Sequence, residues 1–147
     1  MGFKFRYESL LNYRRHLKDL AQIELARSME EMAAAKKALN SLRSEYDEAT
    51  RVLSQDLKFG MEASKLKNYT AYLEWLRENI IHKALEVAEW EEKVEEKREA
   101  LLEKDKDLKI IDKLKKKDLK QWVGEREARE QKEQNEIAVL RHGRVFP

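Results

Sequence analysis

Two pairs of adjacent glutamates in the second half of the chain are the side chains best placed for acid–base chemistry: Glu91-Glu92 and Glu95-Glu96. Two carboxyl groups serve as general acid and general base only where a desolvated pocket separates their pKa values. The other candidates are three histidines far apart in the sequence, with no cysteine or convergent carboxylates near them: His16, His82 and His142. A metal site needs such ligands to converge. We therefore predict no catalytic residue and no metal site.

Other kinds of chemistry depend on motifs that the sequence lacks. It has no glycine-rich phosphate loop, no Gly-x-Ser-x-Gly elbow and no His-Glu-x-x-His zinc motif. Charged residues make up 41% of the chain, and one proline and four glycines leave few positions for tight turns. A composition rich in Ala, Glu, Lys, Leu and Arg is typical of long helices. Because two packed helices offer no pocket, we predict a protein that is not an enzyme and needs no cofactor.

Heptad spacing of apolar residues on either side of Gly60 predicts two helices joined by a turn. Apolar positions step by three and four residues: Leu39, Leu42, Tyr46, Ala49 and Leu53 before the break, and Leu73, Leu76, Ile80, Val87, Trp90 and Val94 after it. Glycine favours the position just past a helix C-terminus. Within a single domain of residues 1–147, we predict helix 1 at about 4–57, a turn at about 58–65, helix 2 at about 66–140 and a disordered tail at 141–147.

The two stretches match as an antiparallel pair. If Leu53 faces Tyr69, the residue numbers of facing positions sum to roughly 122, and core positions a and d alternate along the seam. This register also pairs Leu42 with Ile80, Ala35 with Val87, Met32 with Trp90 and Leu11 with Ile111. The predicted fold class is all-α, a long antiparallel two-helix coiled-coil hairpin of roughly 75–80 Å. Its second helix is longer and overhangs the N-terminus.

Charge is uneven along this predicted hairpin, although the net charge is only +2. Residues 86–103 carry a net charge of −5, whereas residues 104–120 carry +4 and residues 1–27 carry +3. The two basic segments come together in the predicted hairpin, so its terminal end is positive. Two interpretations stay open: a solvated helix surface, or a docking end for an acidic partner.

Apolar side chains off the seam and the lysine-rich segment suggest contacts with partners. Tyr72, Trp75 and Ile81 lie off the predicted seam, where they could bind a partner or pack against the rim of the first helix. Lysines between 113 and 120 with Trp122 could contact a nucleic acid, but intervening aspartates and the lack of a basic zipper pattern argue against it. No apolar run approaches the ~18 residues of a transmembrane segment, so we expect a cytoplasmic protein whose membrane contact is peripheral.

Three segments carry a family resemblance. The opening Phe3–Leu11 alternates aromatic and basic residues and ends in a Leu-Leu pair, with Arg14-Arg15 following. The middle segment Asn68–Leu73 and the charged tail Arg129–Ala138 follow in matching order and spacing. Over nearly the whole chain, these segments resemble those of the FliJ family of flagellar export proteins.

The resemblance implies a stalk-like coiled coil of the bacterial flagellar type III export apparatus. Its implied partners are the hexameric export ATPase, the cytoplasmic domain of the export-gate membrane protein and export chaperones, with no nucleic acid. Carried over by position, the gate-binding residues are Leu42, Tyr72, Leu76, Asn79 and Lys83. The ATPase-binding residues are Phe3, Phe5, Arg6, Leu10, Arg14, Lys116, Lys117, Trp122, Arg126 and Arg129.

The implied location is the cytoplasm, peripheral to the inner membrane at the flagellar base. Two alternatives stay open. One is the corresponding stalk of a virulence injectisome, or a general coiled-coil spacer. The other is a basic coiled coil that binds nucleic acid or an anionic membrane.

Overall fold

The computed structural model describes residues 2–145 as two long helices. Helix α1 comprises Glu8–Phe59, with 52 residues, and helix α2 comprises Ala63–Val145, with 83 residues. No strand occurs among the described residues. The predicted all-α fold class, an antiparallel coiled-coil hairpin with a longer second helix, is confirmed. Contacts divide the chain into two compact units: residues 20–102, called the hairpin unit, and residues up to 19 with those from 103 onwards, called the terminal unit.

Glycine ends the first helix in the hairpin unit. Gly60 follows α1 directly and has a φ of +87°, a left-handed conformation that side chains with a Cβ rarely adopt. Its N–H donates to the carbonyl of Leu57 over 3.3 Å, which satisfies one of the free carbonyls at the helix end. Gly60 therefore ends the helix, two residues beyond the predicted end of helix 1 at about residue 57.

The turn is shorter than predicted. It covers residues 60–62 rather than about 58–65, because α2 already begins at Ala63. The carbonyl of Glu62 accepts hydrogen bonds from the N–H groups of Lys65 and Leu66 at 3.1 and 3.0 Å. Only one residue with positive φ is needed to reverse the chain, so the helix-forming residues on each side stay helical.

The core of the hairpin unit consists of small and aliphatic side chains on the predicted seam. Ala35, Leu39 and Val87 form one buried cluster, and Ile80, Ala84 and Trp90 pack against it. Ala35 and Val87 are a pair that the predicted register places face to face. Ser28 is also buried, and its hydroxyl donates to a backbone carbonyl one turn earlier over 3.1 Å, so its polar group is satisfied.

Aromatic residues before α1 complete the core of the terminal unit. Phe5 is buried with Leu11 and Ile111, a second pair from the predicted register, and Phe3, Leu108 and Leu114 pack around them. Residues 3–5 are not helical, so the predicted start of helix 1 at about residue 4 is wrong, and α1 begins at Glu8. The segment before α1 is not helical, and in it the side chains of Phe3 and Phe5 pack against the helices. Burial of these two rings favours this arrangement over one more helical turn.

The C-terminal part of α2 lies beyond the paired region of the terminal unit. Every side chain from 123 to 143 is exposed, yet the helix continues to Val145. The predicted disorder is therefore wrong for residues 141–145, while residues 146 and 147 lie outside the described part. Residues 125–142 contain many strong helix formers and neither glycine nor proline, so nothing in this segment ends the helix.

Candidate functional site

The candidate binding sites lie on the surface of the helices rather than in an enclosed pocket. Within residues 2–145, no helix is long and apolar enough to cross a membrane. Across the same residues, no three side chains of the metal-ligating types gather in one place. The candidates are thus two surfaces, one in each unit, made of the residues that the family resemblance implies.

The implied gate-binding residues of the hairpin unit differ greatly in exposure. Leu76 is 0% exposed and belongs to the core, and Leu42 is half-buried beneath the surface. The amide of Asn79 donates to the carbonyl of Trp75 over 2.8 Å. Tyr72 is the exposed apolar member, at 44%. Leu76 therefore positions this surface from beneath and offers no side chain to a partner.

Tyr72 forms an aromatic pair that the resemblance does not include. Its ring stacks on that of Trp75 with 6.2 Å between centroids and 18° between planes, and Trp75 is 56% exposed. A shallow groove beside Tyr72 is lined by Tyr69, Ala49 and Val52 among others. The position of Trp75 off the seam was the signal in the sequence, since neighbours three apart share a helix face.

Charges flank this aromatic pair. The ammonium of Lys83 donates to Glu86 over 2.7 Å and lowers the pKa of that carboxyl below its ordinary value. Near the turn, the hydroxyl of Tyr69 donates to Asp56 over 3.2 Å, and this hydrogen bond raises the pKa of the phenol. Lys83 is therefore held within its own helix, while Tyr69 links α2 to α1.

In the terminal unit, the structure brings together the aromatic residues that the resemblance assigns to ATPase binding. The ring of Phe3 lies 5.9 Å from that of Trp122, and the guanidinium of Arg126 lies 5.6 Å from the Trp122 ring. Arg126 also donates to Glu130 over 3.2 Å. Phe5 is buried in the core, so it anchors this surface from within.

The implied cationic residues of the terminal unit fall into two groups. Arg14 donates to the carbonyl of Asp107 over 2.7 Å, and Lys116 lies 3.5 Å from a carboxylate oxygen of Asp112. The second group is exposed and makes no ion pair in the part of the chain that is described: Arg6, Lys117 and Arg129. The guanidinium of Arg6 does lie 5.5 Å from the centre of the Tyr7 ring. Leu10 is 37% exposed on the same unit.

Sequence reasoning missed a charged network across the two helices of this unit. Asp105 lies 3.0 Å from Lys18 on α1 and 2.8 Å from Lys109 on α2. Hydrogen bonds from Lys109 and Lys18 lower the pKa of the Asp105 carboxyl, and the same carboxylate raises the pKa of Lys109. Lys115 similarly lies 2.9 Å from Glu8. Heptad patterns do not reveal which of several nearby charges a long lysine side chain selects.

Known proteins share both the sequence pattern and the fold. The sequence model of the family described as "Flagellar FliJ protein" matches residues 3–145. A curated relative, the flagellar FliJ protein of Bacillus subtilis (strain 168), is 26% identical over 139 residues, which cover 95% of each chain. The solved structure of a YscO homologue from Chlamydia trachomatis aligns with a TM-score of 0.57 and 18% identity over 96% of each chain, which shows a shared fold. Because the family match spans nearly all of the described residues, this chain belongs to the flagellar FliJ protein family.

Proposed function

We propose that this chain is a stalk-like component of the bacterial flagellar type III protein export apparatus. Family membership supports the export role. In this proposal the terminal unit docks in the hexameric export ATPase, and the hairpin unit contacts the cytoplasmic domain of the export-gate membrane protein. The chain acts at the flagellar base, peripheral to the cytoplasmic side of the inner membrane, and also escorts export chaperones.

The observation that carries the docking proposal is the surface of the terminal unit. Trp122 and Phe3 present a paired aromatic surface with Arg126 across it. Lys117 and Arg129 are exposed and make no ion pair among the described residues, so binding an acidic partner breaks no existing bridge. Aromatic and arginine side chains are the types most often found at the energetic centre of interfaces.

The mechanism requires no chemistry from this chain. A hexameric ring offers six equivalent surfaces, whereas one helix pair is asymmetric and contacts the six subunits differently. A ligand that binds one subunit state better than another shifts the population toward that state. Because the stalk contacts each subunit differently, it would couple the nucleotide state of one subunit to that of the next. The coupling is reciprocal, so the nucleotide state of a subunit also changes its affinity for the stalk.

The hairpin unit supplies the surface for the gate. Tyr72 and Trp75 form an exposed stacked pair beside a groove, and such a patch binds a partner more readily than the charged helix faces around it. Leu76, fully buried below, holds the helix that presents the pair. Three further residues at the edges of this surface are still only predicted to contact the gate: Leu42, Asn79 and Lys83.

The decisive experiment mixes the chain with the flagellar ATPase of the same organism and measures ring assembly and ATP turnover. Lys117→Glu with Arg129→Glu should weaken binding about tenfold or more, because two attractive charges become repulsive. The matched control is Lys37→Glu with Arg43→Glu, which reverses two exposed charges of the hairpin unit. Equal stimulation by both double variants would show that this surface is not the docking end.

Two further binding measurements separate the alternatives. Tighter binding to an injectisome ATPase than to the flagellar one would favour the virulence stalk. Binding to DNA or anionic vesicles that weakens steeply with salt, without any binding to the ATPase, would replace the export proposal. Otherwise the flagellar assignment stands.

A further inference from the structure

The turn of the hairpin unit carries the most exposed large apolar side chain among the described residues. Phe59 is 92% exposed, and two leucines close to it in the sequence are also exposed, Leu57 at 48% and Leu66 at 36%. They belong to the last turn of α1 and the first turn of α2, on either side of residues 60–62. This end of the hairpin unit therefore leaves apolar surface in water that its own helices do not cover.

Lysines flank these apolar side chains in the sequence. Lys58, Lys65 and Lys67 are all exposed, and none of their ammonium groups makes an ion pair or hydrogen bond in the part of the chain that is described. Between residues 57 and 67 the only acidic residue is Glu62, so the segment has a net charge of +2. Exposed apolar surface and unneutralised positive charge thus occur together in one short segment.

We propose that residues 57–67, called the hairpin tip, bind the surface of an anionic lipid membrane. The ring of Phe59 enters the boundary between the headgroups and the acyl chains, as apolar side chains of peripheral proteins do. The three lysines lie at the level of the lipid phosphates, because a lysine can bury its aliphatic stem while its ammonium stays in the polar layer. The negative potential of the lipid surface attracts them.

The size and composition of the hairpin tip favour a lipid surface over a protein partner. A stable protein interface engages about 20–30 residues a side, whereas the tip has eleven residues. Tyrosine, tryptophan and arginine predominate at the centres of protein interfaces, where lysine is depleted. The tip contains none of those three residue types and three lysines. A lipid surface requires no complementary shape, so a small apolar end flanked by lysines is suited to it.

The position of the tip agrees with a contact between the hairpin unit and a membrane protein. Leu66 precedes Tyr72, in the proposed gate-binding surface, by six residues of the same helix, or about 9 Å. A tip bound to the membrane would hold that surface close to the cytoplasmic domain of the gate. Lipid binding itself does not rest on the proposed function, because lipid vesicles contain neither the gate nor the ATPase. Failure of either proposal therefore leaves the other standing.

Flotation of the full chain with lipid vesicles tests the proposal. We expect binding to vesicles of phosphatidylcholine mixed with phosphatidylglycerol, and much weaker binding to vesicles of phosphatidylcholine alone. Binding at about 0.1 M salt should decrease at about 1 M salt, because the Debye length falls from about 10 Å to about 3 Å. No binding to the anionic vesicles, or equal binding to both kinds of vesicle, overturns the proposal.

The apolar contribution is tested at Phe59. Phe59→Ser should weaken binding to the anionic vesicles at least about fivefold, because the ring no longer leaves water. The matched control is Leu85→Ser, which removes a side chain that is 59% exposed in the same unit but away from the turn. It should leave vesicle binding unchanged. Equal binding by both variants contradicts the proposal, and circular dichroism verifies that the helices of each still form.

The contribution of charge is tested by reversing the three lysines. Lys58→Glu with Lys65→Glu and Lys67→Glu should weaken binding to the anionic vesicles at least about tenfold. A control triple variant changes the net charge equally at exposed positions of the same unit: Arg27→Glu, Lys37→Glu and Arg43→Glu. A larger loss in the control than in the tip variant would mean that the net charge of the chain, not the tip, attracts the lipid.

A fluorescent label identifies the part of the chain that meets the lipid, since the sequence has no cysteine. Ser64→Cys places a polarity-sensitive dye on the tip, and Ser41→Cys places the same dye on an exposed position of α1 away from the turn. On addition of anionic vesicles we expect a blue shift of the emission at Ser64→Cys and none at Ser41→Cys. A blue shift of equal size at both positions, or no shift at Ser64→Cys, overturns the proposal.

Discussion

The hairpin unit and the terminal unit hold their helices together by different means. In the hairpin unit, small and aliphatic residues such as Ala35 and Val87 form the buried cluster. In the terminal unit, the non-helical segment before α1 contributes Phe5, which is buried with Leu11 and Ile111. The hairpin unit therefore rests on close helix–helix packing, and the terminal unit rests on a segment folded onto its helices.

Ion pairs between the helices sharpen this difference. In the terminal unit, Lys18–Asp105 and Lys115–Glu8 are 3.0 and 2.9 Å apart, and their side chains are 23–45% exposed. In the hairpin unit, Lys36–Glu91 and Lys97–Glu24 are 3.6 and 3.1 Å apart, and their side chains are 41–57% exposed. Less exposed pairs are screened less, so charge contributes more to the terminal unit. Because hydrogen bonds from Lys109 and Lys18 lower the pKa of Asp105, we expect the stability of the terminal unit to depend on pH.

The largest expected effect tests whether apolar packing dominates the hairpin unit. Leu76→Ala removes a fully buried side chain and should lower the free energy of unfolding by about 2–5 kcal/mol. Tyr72→Ala, one turn away and 44% exposed, should change it by about 1 kcal/mol or less. Urea unfolding followed by circular dichroism measures both. Similar costs for the two variants would mean that the seam is not the main source of stability here.

A pair of glycines, one in each unit, gives the next largest effect. Gly60→Ala places a Cβ on a residue with φ +87° and should cost about 1–2 kcal/mol. Gly124→Ala adds a Cβ within α2, where no side chain other than those of its two chain neighbours lies within 4 Å. This change should stabilise the chain by up to about 1 kcal/mol. Thermal unfolding of both variants measures these two changes in stability. Equal shifts of the same sign would contradict the assigned role of Gly60.

The sequence predicted the repetitive part of this fold well. Heptad spacing depends only on which face of a helix is apolar, so it identified two helices and a register. The pairs Leu11–Ile111 and Ala35–Val87 from that register lie in the same buried clusters. Glycine at the break was equally informative, because few other residues adopt a positive φ.

The parts that sequence reasoning missed depend on side-chain choices in three dimensions. Nothing periodic in residues 3–7 indicates that Phe5 turns back onto Leu11, since the burial comes from a tertiary contact. The stacking of Tyr72 on Trp75 depends on the rotamers of both rings. Family resemblance placed Leu76 among binding residues, whereas its position on the seam predicted burial, and the structure agrees with the seam.

The smallest expected effect tests the role of charge in the terminal unit through Asp105. Hydrogen bonds from Lys109 and Lys18 lower the pKa of this carboxyl in the folded chain. A lowered pKa means that the stabilising effect is complete above the ordinary Asp pKa of about 3.9 and is lost as pH falls through the lower folded value. Asp105→Asn should therefore lower Tm near neutral pH, and the difference from the unaltered chain should shrink below about pH 4.

The control for Asp105 lies in the other unit. Asp47 is exposed and makes no ion pair among the described residues, so Asp47→Asn should leave Tm nearly unchanged near neutral pH. Thermal unfolding of the three chains between about pH 7 and pH 2.5 compares them above and below the ordinary Asp pKa of about 3.9. A deficit for Asp105→Asn that persists undiminished at the acid end would indicate lost packing rather than lost charge. It would also remove the main electrostatic distinction between the two units, because Asp105 is the carboxylate that joins Lys18 on α1 to Lys109 on α2.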